Sequence, residues 1–171
     1  MDGMVRLEAL LDSWKTIRRD AAQAVEDMPA GGIDFRPQDD LMSFREIAEH
    51  ILYAGRGLTG LLLDGELELN TPDFREKLKR YYRTLPESAE AAAIAAEMRN
   101  AVDEDCARVA QQPPEFFAEM ITRMDGTKVT RLEMMQFVKE HELTHRAQLF
   151  LYLRLNGVIP PTTRRKMAQK R

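Results

Sequence analysis

The sequence predicts an all-α protein, a four-helix bundle with a short extra helix between its second and third helices. Four long stretches carry apolar residues at alternating spacings of three and four, the period of an amphipathic helix. Strand patterns are scarce, and capping or helix-breaking residues bound the long stretches. A chain of 171 residues fits one domain with a substantial hydrophobic core.

The first two long helices are bounded by recognisable signals. The first ends at Gly31-Gly32, and its apolar positions are Leu7, Leu10, Trp14, Ile17, Ala21, Ala24 and Met28. The second begins at Ser43, which forms a capping box with Glu46 and so satisfies free backbone N–H groups. It closes at Asp64-Gly65, and its interior glycines either weaken the helix or allow close packing.

The next two helices follow from similar signals. Thr71 and Pro72 predict the start of a short helix that extends to about Tyr82. Thr84, with Glu87 three residues later, predicts a capping box at the start of the third long helix. Pro113-Pro114 then ends that helix, because proline lacks the backbone N–H that a helix interior needs.

A small hairpin is one interpretation of the irregular stretch that follows, which carries the turn signal Asp125-Gly126. Thr130 and Glu133 predict another capping box at the start of the fourth long helix, and Gly157 ends that helix. We assign residues 1–161 to the bundle and residues 162–171 to a basic C-terminal tail. We expect the tail to be solvated and partly disordered rather than a nucleic-acid contact.

Composition excludes several functional classes. A net charge of −3 argues against a dedicated nucleic-acid binder. No apolar stretch is long enough to span a bilayer, and the charged N-terminus is unlike a signal peptide. The single cysteine, Cys106, excludes an intrachain disulfide framework. We therefore expect a cytoplasmic protein that binds neither nucleic acid nor membranes.

The histidines give the strongest functional signal. The chain has three, His50, His141 and His145, and each lies on the inward stripe of a predicted helix. The last two are four residues apart, so their imidazoles share a helix face and can reach the same ion. Buried imidazoles without partners are costly, and a shared cation satisfies one nitrogen of each ring. The pattern predicts a divalent metal site, with zinc or nickel ahead of iron or manganese.

Two other kinds of metal site fit less well. The segment from His141 to His145 matches the zincin pattern H-E-x-x-H, in which Glu142 would be the general base. After His145, however, the chain has no carboxylate or histidine to supply the third ligand. A carboxylate di-iron site needs two Glu-x-x-His motifs, and the chain has Ile47 where the second motif requires glutamate.

Several blocks of sequence resemble the DinB/YfiT-like superfamily. They are residues 43–51 (SFREIAEHI), residues 141–148 (HELTHRAQ) and residues 152–157 (YLRLNG), followed by Pro160-Pro161. Phe35-Arg36-Pro37 is also similar to the aromatic-x-Pro entry to the second helix that is common there. The resemblance extends from about residue 7 to residue 161.

The resemblance implies a four-helix bundle that holds a divalent metal through His50, His141 and His145. It also implies a homodimer and a small-molecule substrate, with a low-molecular-weight thiol as a candidate. Known activities of such proteins include thiol S-transfer, thiol-dependent isomerisation and proposed metal-dependent hydrolysis. We favour a thiol-dependent S-transferase; the alternatives are a metal-dependent hydrolase and a non-catalytic metal-binding or ligand-binding protein.

Polar residues near the histidines are candidates for further roles. Glu46, one turn before His50, could orient that ring or act as a base, although helix capping already accounts for it. Gln148 could hold water or substrate, or make a structural hydrogen bond. We take both as candidate catalytic residues.

Glu142 is expected to form a surface ion pair, and Arg146 to pair with acidic groups of a neighbouring helix. Tyr152 could line the pocket, although core packing is favoured; Asp105, near the inner side of the third helix, is a further candidate, and Cys106 is expected to be a small buried hydrophobe.

Overall fold

Helices dominate the structure, as the sequence predicts. The computed structural model describes residues 6–170. Its elements, in chain order, are α1 (Leu7–Asp27), α2 (Phe44–Leu63), α3 (Phe74–Lys79), α4 (Ala91–Ala110), α5 (Pro114–Ala118), β1 (Met120–Thr122), β2 (Lys128–Thr130), α6 (Arg131–Leu155) and α7 (Pro161–Ala168). The first five residues, on which the expected absence of a signal peptide partly depends, and the last residue of the predicted tail lie outside the described residues.

The four long helices form a bundle with a diagonal first connection. Both α1 and α2 pack on α4 and α6, whereas α1 and α2 contact each other only slightly. The segment between α1 and α2 therefore crosses one end of the bundle. It is fixed to the start of α2 by hydrogen bonds from Phe44 N–H to Phe35 O and from Arg45 N–H to Ile33 O. This arrangement places α2 beside α6, so the helices that carry the histidines are neighbours.

Capping boxes begin two of the long helices. The Oγ atom of Ser43 accepts a hydrogen bond from Glu46 N–H, and the Glu46 carboxylate accepts one from Ser43 N–H. Thr130 and Glu133 form the same pair of bonds at the start of α6. Both capping boxes were predicted correctly. These interactions satisfy backbone donors that have no partner within the first helical turn.

The predicted capping box at Thr84 is wrong. Helix α4 begins at Ala91, after Glu90, and has no side-chain cap. A helix that began after Thr84 would place Leu85 in helical conformation directly before Pro86. The ring of a proline disfavours that conformation in the preceding residue.

The shorter elements agree in part with the predictions. The extra helix is present as α3, although it is shorter than the predicted span. Strands β1 and β2 pair antiparallel, so the hairpin interpretation is confirmed, and Gly126 takes the positive φ of 82° that its turn requires.

The expected partial disorder of the tail is wrong for residues 162–168, which belong to α7 (Pro161–Ala168). Pro161 suits the first turn of a helix, where a missing N–H costs nothing. Two arginines then attach α7 to α1: Arg164 lies 2.6 Å from Asp27, and Arg165 lies 2.7 Å from Asp20. These ion pairs give the basic segment partners that the local sequence pattern does not reveal.

The core consists of two apolar clusters. One contains the C-terminal half of α1 and the N-terminal half of α2, with Val25 and Ile51 fully buried. The other contains the opposite halves of the same helices, with Trp14 and Leu62 fully buried. The buried side chains of Arg18 and Glu142 lie between the two clusters along α1 and α6. Among the helices of the described residues, none combines the length and apolar character needed to cross a bilayer.

Two glycines of α2 allow the segment around α3 to pack closely. A Cβ atom on Gly57 would lie 2.8 Å from Cδ2 of Leu78, and one on Gly60 would overlap the ring of Tyr81. Of the two interpretations of the α2 glycines, close packing is therefore confirmed. The consequence for the site is that α3 lies directly against the part of α2 that follows His50.

Candidate metal centre

The three histidines converge where α2 packs on α6. His141 and His145 lie one turn apart on α6, and His50 faces them from the first half of α2. The Nε2 atom of His141 is 3.1 Å from Nε2 of His50 and 3.1 Å from Nε2 of His145. Bonds of about 2.0–2.1 Å from three nitrogens to one ion place those nitrogens roughly 3 Å apart. The spacing therefore fits three imidazoles around a single ion.

The electrostatic environment keeps His50 and His141 in the neutral form that binds metal. Burial, and then the charges of the neighbouring His145 and His50, together lower the pKa of His141 to about 4. Burial, followed by the charge of His145, also lowers the pKa of His50. His50 and His141 are therefore neutral at pH 7, as metal binding requires. Within residues 6–170, no carboxylate or thiol joins the cluster.

Gln148 orients one of the three rings. Its Oε1 atom lies 2.7 Å from Nδ1 of His145 and accepts a hydrogen bond from that nitrogen. With the proton on Nδ1, the Nε2 atom of His145 keeps a lone pair that faces the other two rings. The structural hydrogen bond, one of the two roles considered for Gln148, is present. A direct role toward water or substrate stays a prediction.

We expect Gln148→Ala to weaken zinc binding by about 10–100-fold, because His145 loses the acceptor that fixes its ring and its tautomer. Competition with a chromophoric chelator measures this affinity. Gln148→Glu retains an acceptor at the same position and is the matched control, with a change of only a few-fold expected. Equal affinity in Gln148→Ala and the native chain would contradict this role.

Glu46 is fully engaged at the start of α2. One carboxylate oxygen lies 2.7 Å from the Ser43 nitrogen and the other lies 3.0 Å from Nη2 of Arg36. The hydrogen bond from Ser43 N–H, and then that from Arg36, lower the pKa of Glu46. Capping and this ion pair account for both oxygens. Among the described residues, Glu46 is not part of the histidine cluster, and its role as a base stays a prediction.

The prediction of a surface ion pair for Glu142 is wrong. Its side chain and that of Arg18 are both 0% exposed, and they form an ion pair in the interior of the bundle. Nε of Arg18 donates to one carboxylate oxygen at 2.8 Å, and Nη2 donates to the other. The partner comes from α1, which the pattern of α6 alone does not reveal. Because both oxygens are engaged, Glu142 is also unsuited to the base role of a zincin.

Arg18 links α1 to the other three long helices at the level of the histidines. Besides Glu142, it donates to the backbone oxygen of Ile51 at 3.2 Å and to that of Met98 at 3.4 Å. Ile51 directly follows one histidine and Glu142 directly follows another. A Cβ atom on Gly55 would lie 2.5 Å from a Glu142 oxygen and would overlap the Arg18 guanidinium. Glycine at this position therefore makes room for the ion pair.

The remaining predicted residues lie apart from the histidines. Arg146 pairs with Asp20 of α1 at 3.4 Å, so the predicted partner type is confirmed. Tyr152 is buried and its hydroxyl donates to a backbone oxygen, which confirms core packing.

Cys106 is buried, and burial raises the pKa of its thiol to about 12. Asp105 is buried near Arg56, and its pKa rises to about 6, chiefly because of that burial.

The other residues that line the pocket beside the histidines were not predicted, and Tyr152 is not among them. The pocket has a volume of about 280 Å³ and is lined by His50 and His141 together with Ala54, Leu58, Phe74, Leu78, Met124 and Phe137. Two of its walls come from α3 and the β-hairpin, which we expected only to connect the long helices. The half-buried apolar residues of these two segments were the signal that could have predicted the pocket, because a connection surrounded by water gains nothing from apolar side chains.

The fold and the site place this protein in the class of helical-bundle proteins with a candidate centre for one divalent metal. Three histidines from two adjacent helices form that centre. The family follows from the sequence as a whole. Residues 4–170 match the model of the DinB family, and the chain belongs to that family. No curated protein matches the chain in sequence.

Two solved structures share the fold. One is a DinB-like protein, YjoA, from Bacillus subtilis, with 20% identity and a TM-score of 0.66 over 86% of this chain and 92% of that one. The other is YfiT from Bacillus subtilis, described as a probable metal-dependent hydrolase with an unusual four-helix bundle topology. It has 14% identity and a TM-score of 0.68, over 92% of this chain and 93% of that one. At these identities the likeness shows the fold alone.

Proposed function

We propose that this protein is a metal-dependent enzyme that acts on a small molecule, with His50, His141 and His145 as the ligands of one divalent ion, zinc or nickel ahead of iron or manganese. The observation that carries the proposal is the convergence of three histidines, one ring nitrogen of each lying within 4.8 Å of the others, beside a pocket. When bound, such an ion would lower the pKa of a bound water toward about 7 or favour the thiolate form of a thiol.

Thiol S-transfer is the reaction that the surroundings of the histidines favour. A thiolate that attacks an electrophile needs no general base, whereas ester or amide hydrolysis benefits from a group that moves protons. Among the described residues, no carboxylate joins the histidine cluster, and the two glutamates considered as bases have other partners: Glu46 caps α2 and Glu142 pairs with Arg18. We therefore place a low-molecular-weight thiol ahead of water as the nucleophile.

Hydrolysis is the second candidate. YfiT, which shares the fold, is described as a probable metal-dependent hydrolase. The same three imidazoles would serve that reaction, and water would replace the thiol as the attacking group.

A screen with model electrophiles tests the proposal. Zinc-loaded and nickel-loaded protein is mixed with activated alkyl halides, epoxides, esters and amides, with and without small thiols. We expect turnover only when a thiol is present, and none in His145→Ala. Cleavage of esters or amides without thiol would replace the transferase proposal with hydrolysis. Silence with every electrophile and both metals would reject an enzymatic function and leave a metal-binding or ligand-binding protein.

Acidification should release the metal, because a protonated imidazole cannot bind it. The pKa of His141 is about 4 in the chain without metal, so protons compete weakly for that ring above this pH. We expect zinc to be retained on dialysis at pH 7 and lost as the pH approaches about 4, with rebinding when the pH is restored. Zinc content measured across this range provides the check. Full retention at the acidic end would contradict histidine ligation.

We also propose that the protein is a cytoplasmic homodimer. Three exposed leucines lie at intervals of four or eight residues on α6: Leu143 is 38% exposed, Leu151 is 54% exposed and Leu155 is 56% exposed. They lie on the exposed side of the helix, and a surface that exposes several large apolar side chains is typical of protein interfaces.

A further inference from the structure

We propose that the pocket beside the histidines binds an uncharged hydrocarbon group, so that the substrate is a small molecule with an aliphatic or aromatic portion next to its reacting atom. This inference deepens the proposed function and rests on it for the reaction, although the pocket can be tested without the metal. It names the chemical class of the electrophile, which the histidines alone do not specify.

The lining of the pocket is apolar apart from the histidines. Six of its eight lining residues are aliphatic, aromatic or methionine side chains, and none is charged. They come from four parts of the chain: α2, α3, the turn between β1 and β2, and α6. The volume of about 280 Å³ is close to the lower end of the range for ligand pockets, roughly 300–1,000 Å³. A short hydrocarbon group fits such a space better than a large cofactor.

The position of the pocket connects it to the histidines. Ala54 and Leu58 lie one and two turns after His50 on α2, and Phe137 lies one turn before His141 on α6. The ring of Phe137 lies nearly parallel to that of His141, at 26° with centroids 6.3 Å apart. A molecule in the pocket therefore contacts the same two helices that carry the histidines, so its reacting atom lies close to the imidazoles.

A cation that contacts one of these walls, Arg123, is already paired with a carboxylate. The guanidinium of Arg123 lies 4.4 Å from the centroid of the Phe137 ring, and its Nη2 atom is 3.4 Å from Asp125. Arg123 is not one of the residues that line the pocket. A carboxylate in the pocket would lose its water without gaining an ion pair, which is costly, whereas a hydrocarbon loses nothing of this kind. The lining of the pocket therefore disfavours a charged group on the ligand.

Binding of straight-chain alkyl hydroxamates tests this inference, because the hydroxamate group can bind zinc and the chain can enter the pocket. Hydroxamates of two to eight carbons are titrated by calorimetry or methyl NMR into the full chain, both zinc-loaded and zinc-free. We expect affinity to rise roughly fourfold for each added methylene until the pocket is full. We expect zinc to add a constant factor at every chain length.

The dependence of affinity on chain length tests the hydrocarbon pocket, and the dependence of affinity on zinc tests the metal centre. A chain-length trend without any effect of zinc would support the pocket and reject the metal centre. An effect of zinc without a chain-length trend would support the metal centre and overturn the hydrocarbon pocket. An eight-carbon hydroxamate that ends in a carboxylate should bind at least tenfold more weakly than its methyl-ended counterpart. Equal or tighter binding would assign the substrate to an anionic class that reaches Arg123, and would also overturn the inference.

A variant locates the binding site. Ala54→Leu fills part of the pocket, and we expect it to weaken binding of the eight-carbon probe at least tenfold while acetohydroxamate binding to the zinc-loaded protein changes little. Ala93→Leu adds the same side chain at an exposed position of α4 and should change neither. Unaltered binding of the long probe in folded Ala54→Leu would place the hydrocarbon site elsewhere. The chain-length trend in the native chain remains decisive if Ala54→Leu does not fold.

Discussion

Replacing any one of His50, His141 and His145 with alanine is expected to lower zinc affinity by more than about 100-fold, since loss of a direct ligand exceeds the effect of losing a residue that only orients one. Nε2 of His141 lies 3.1 Å from Nε2 of each of the other two histidines. Removing one ring leaves two donors on a half-buried surface, too few for a stable site of this type. The native chain should retain about one zinc per chain after dialysis, and each variant almost none.

Thr144→Ala is the matched control for these substitutions. Thr144 is exposed on α6 between the two histidines of that helix, and its hydroxyl donates to the backbone oxygen of Glu140. Removing it should leave zinc affinity unchanged. Helical content measured by circular dichroism shows whether each histidine variant is folded. Full zinc occupancy in folded His141→Ala would reject the metal centre, because Nε2 of His141 lies 3.1 Å from Nε2 of each of the other two histidines.

The convergence of the histidines could be predicted because helical periodicity alone determines which side of a helix faces inward. His50 falls on the inward stripe of α2, and two histidines four apart must share a face of α6. Periodicity does not determine which helices are neighbours. The diagonal connection between α1 and α2, which places α2 beside α6, depends on how whole helices pack, and no local pattern encodes it.

The burial of Glu142 could not be predicted from α6 alone, but α1 carried a signal. Arg18 follows Trp14 by four residues and precedes Ala21 by three, so it lies on the buried stripe of its own helix. A charge on such a stripe requires an opposite charge from another helix. Glu142 stands four residues after the buried Val138 and satisfies that requirement. Pairing these two residues across the bundle needs both patterns together.

Removing one partner of the Arg18–Glu142 pair is expected to destabilise the protein by about 3–5 kcal/mol, because the other charge is left buried without compensation. Both side chains are 0% exposed. For a chain of this size the change corresponds to a decrease in Tm of roughly 6–20 °C. Urea unfolding of the metal-free Arg18→Met and Glu142→Leu variants measures it. A loss below about 1 kcal/mol in both would contradict a buried, mutually dependent pair.

The adjacent residue supplies the control. Arg19 forms an ion pair with Asp103 at 2.9 Å, but the two side chains are 55% and 48% exposed. Water screens such a pair, and we expect Arg19→Met to cost less than about 1 kcal/mol. The difference between neighbouring arginines of one helix then isolates the effect of burial from that of substituting an arginine.

The double variant Arg18→Met/Glu142→Leu separates stability from the positioning of the histidines. It leaves no unpaired charge, and apolar replacements for buried ion pairs often restore stability. Zinc affinity should nevertheless stay about tenfold below that of the native chain, the lower end of the range for residues that orient ligands. Arg18 donates to the backbone oxygen of Ile51, the residue after His50, and to the side chain of Glu142, the residue after His141. Recovery of both stability and native zinc affinity would mean that the pair stabilises the bundle without positioning the metal ligands.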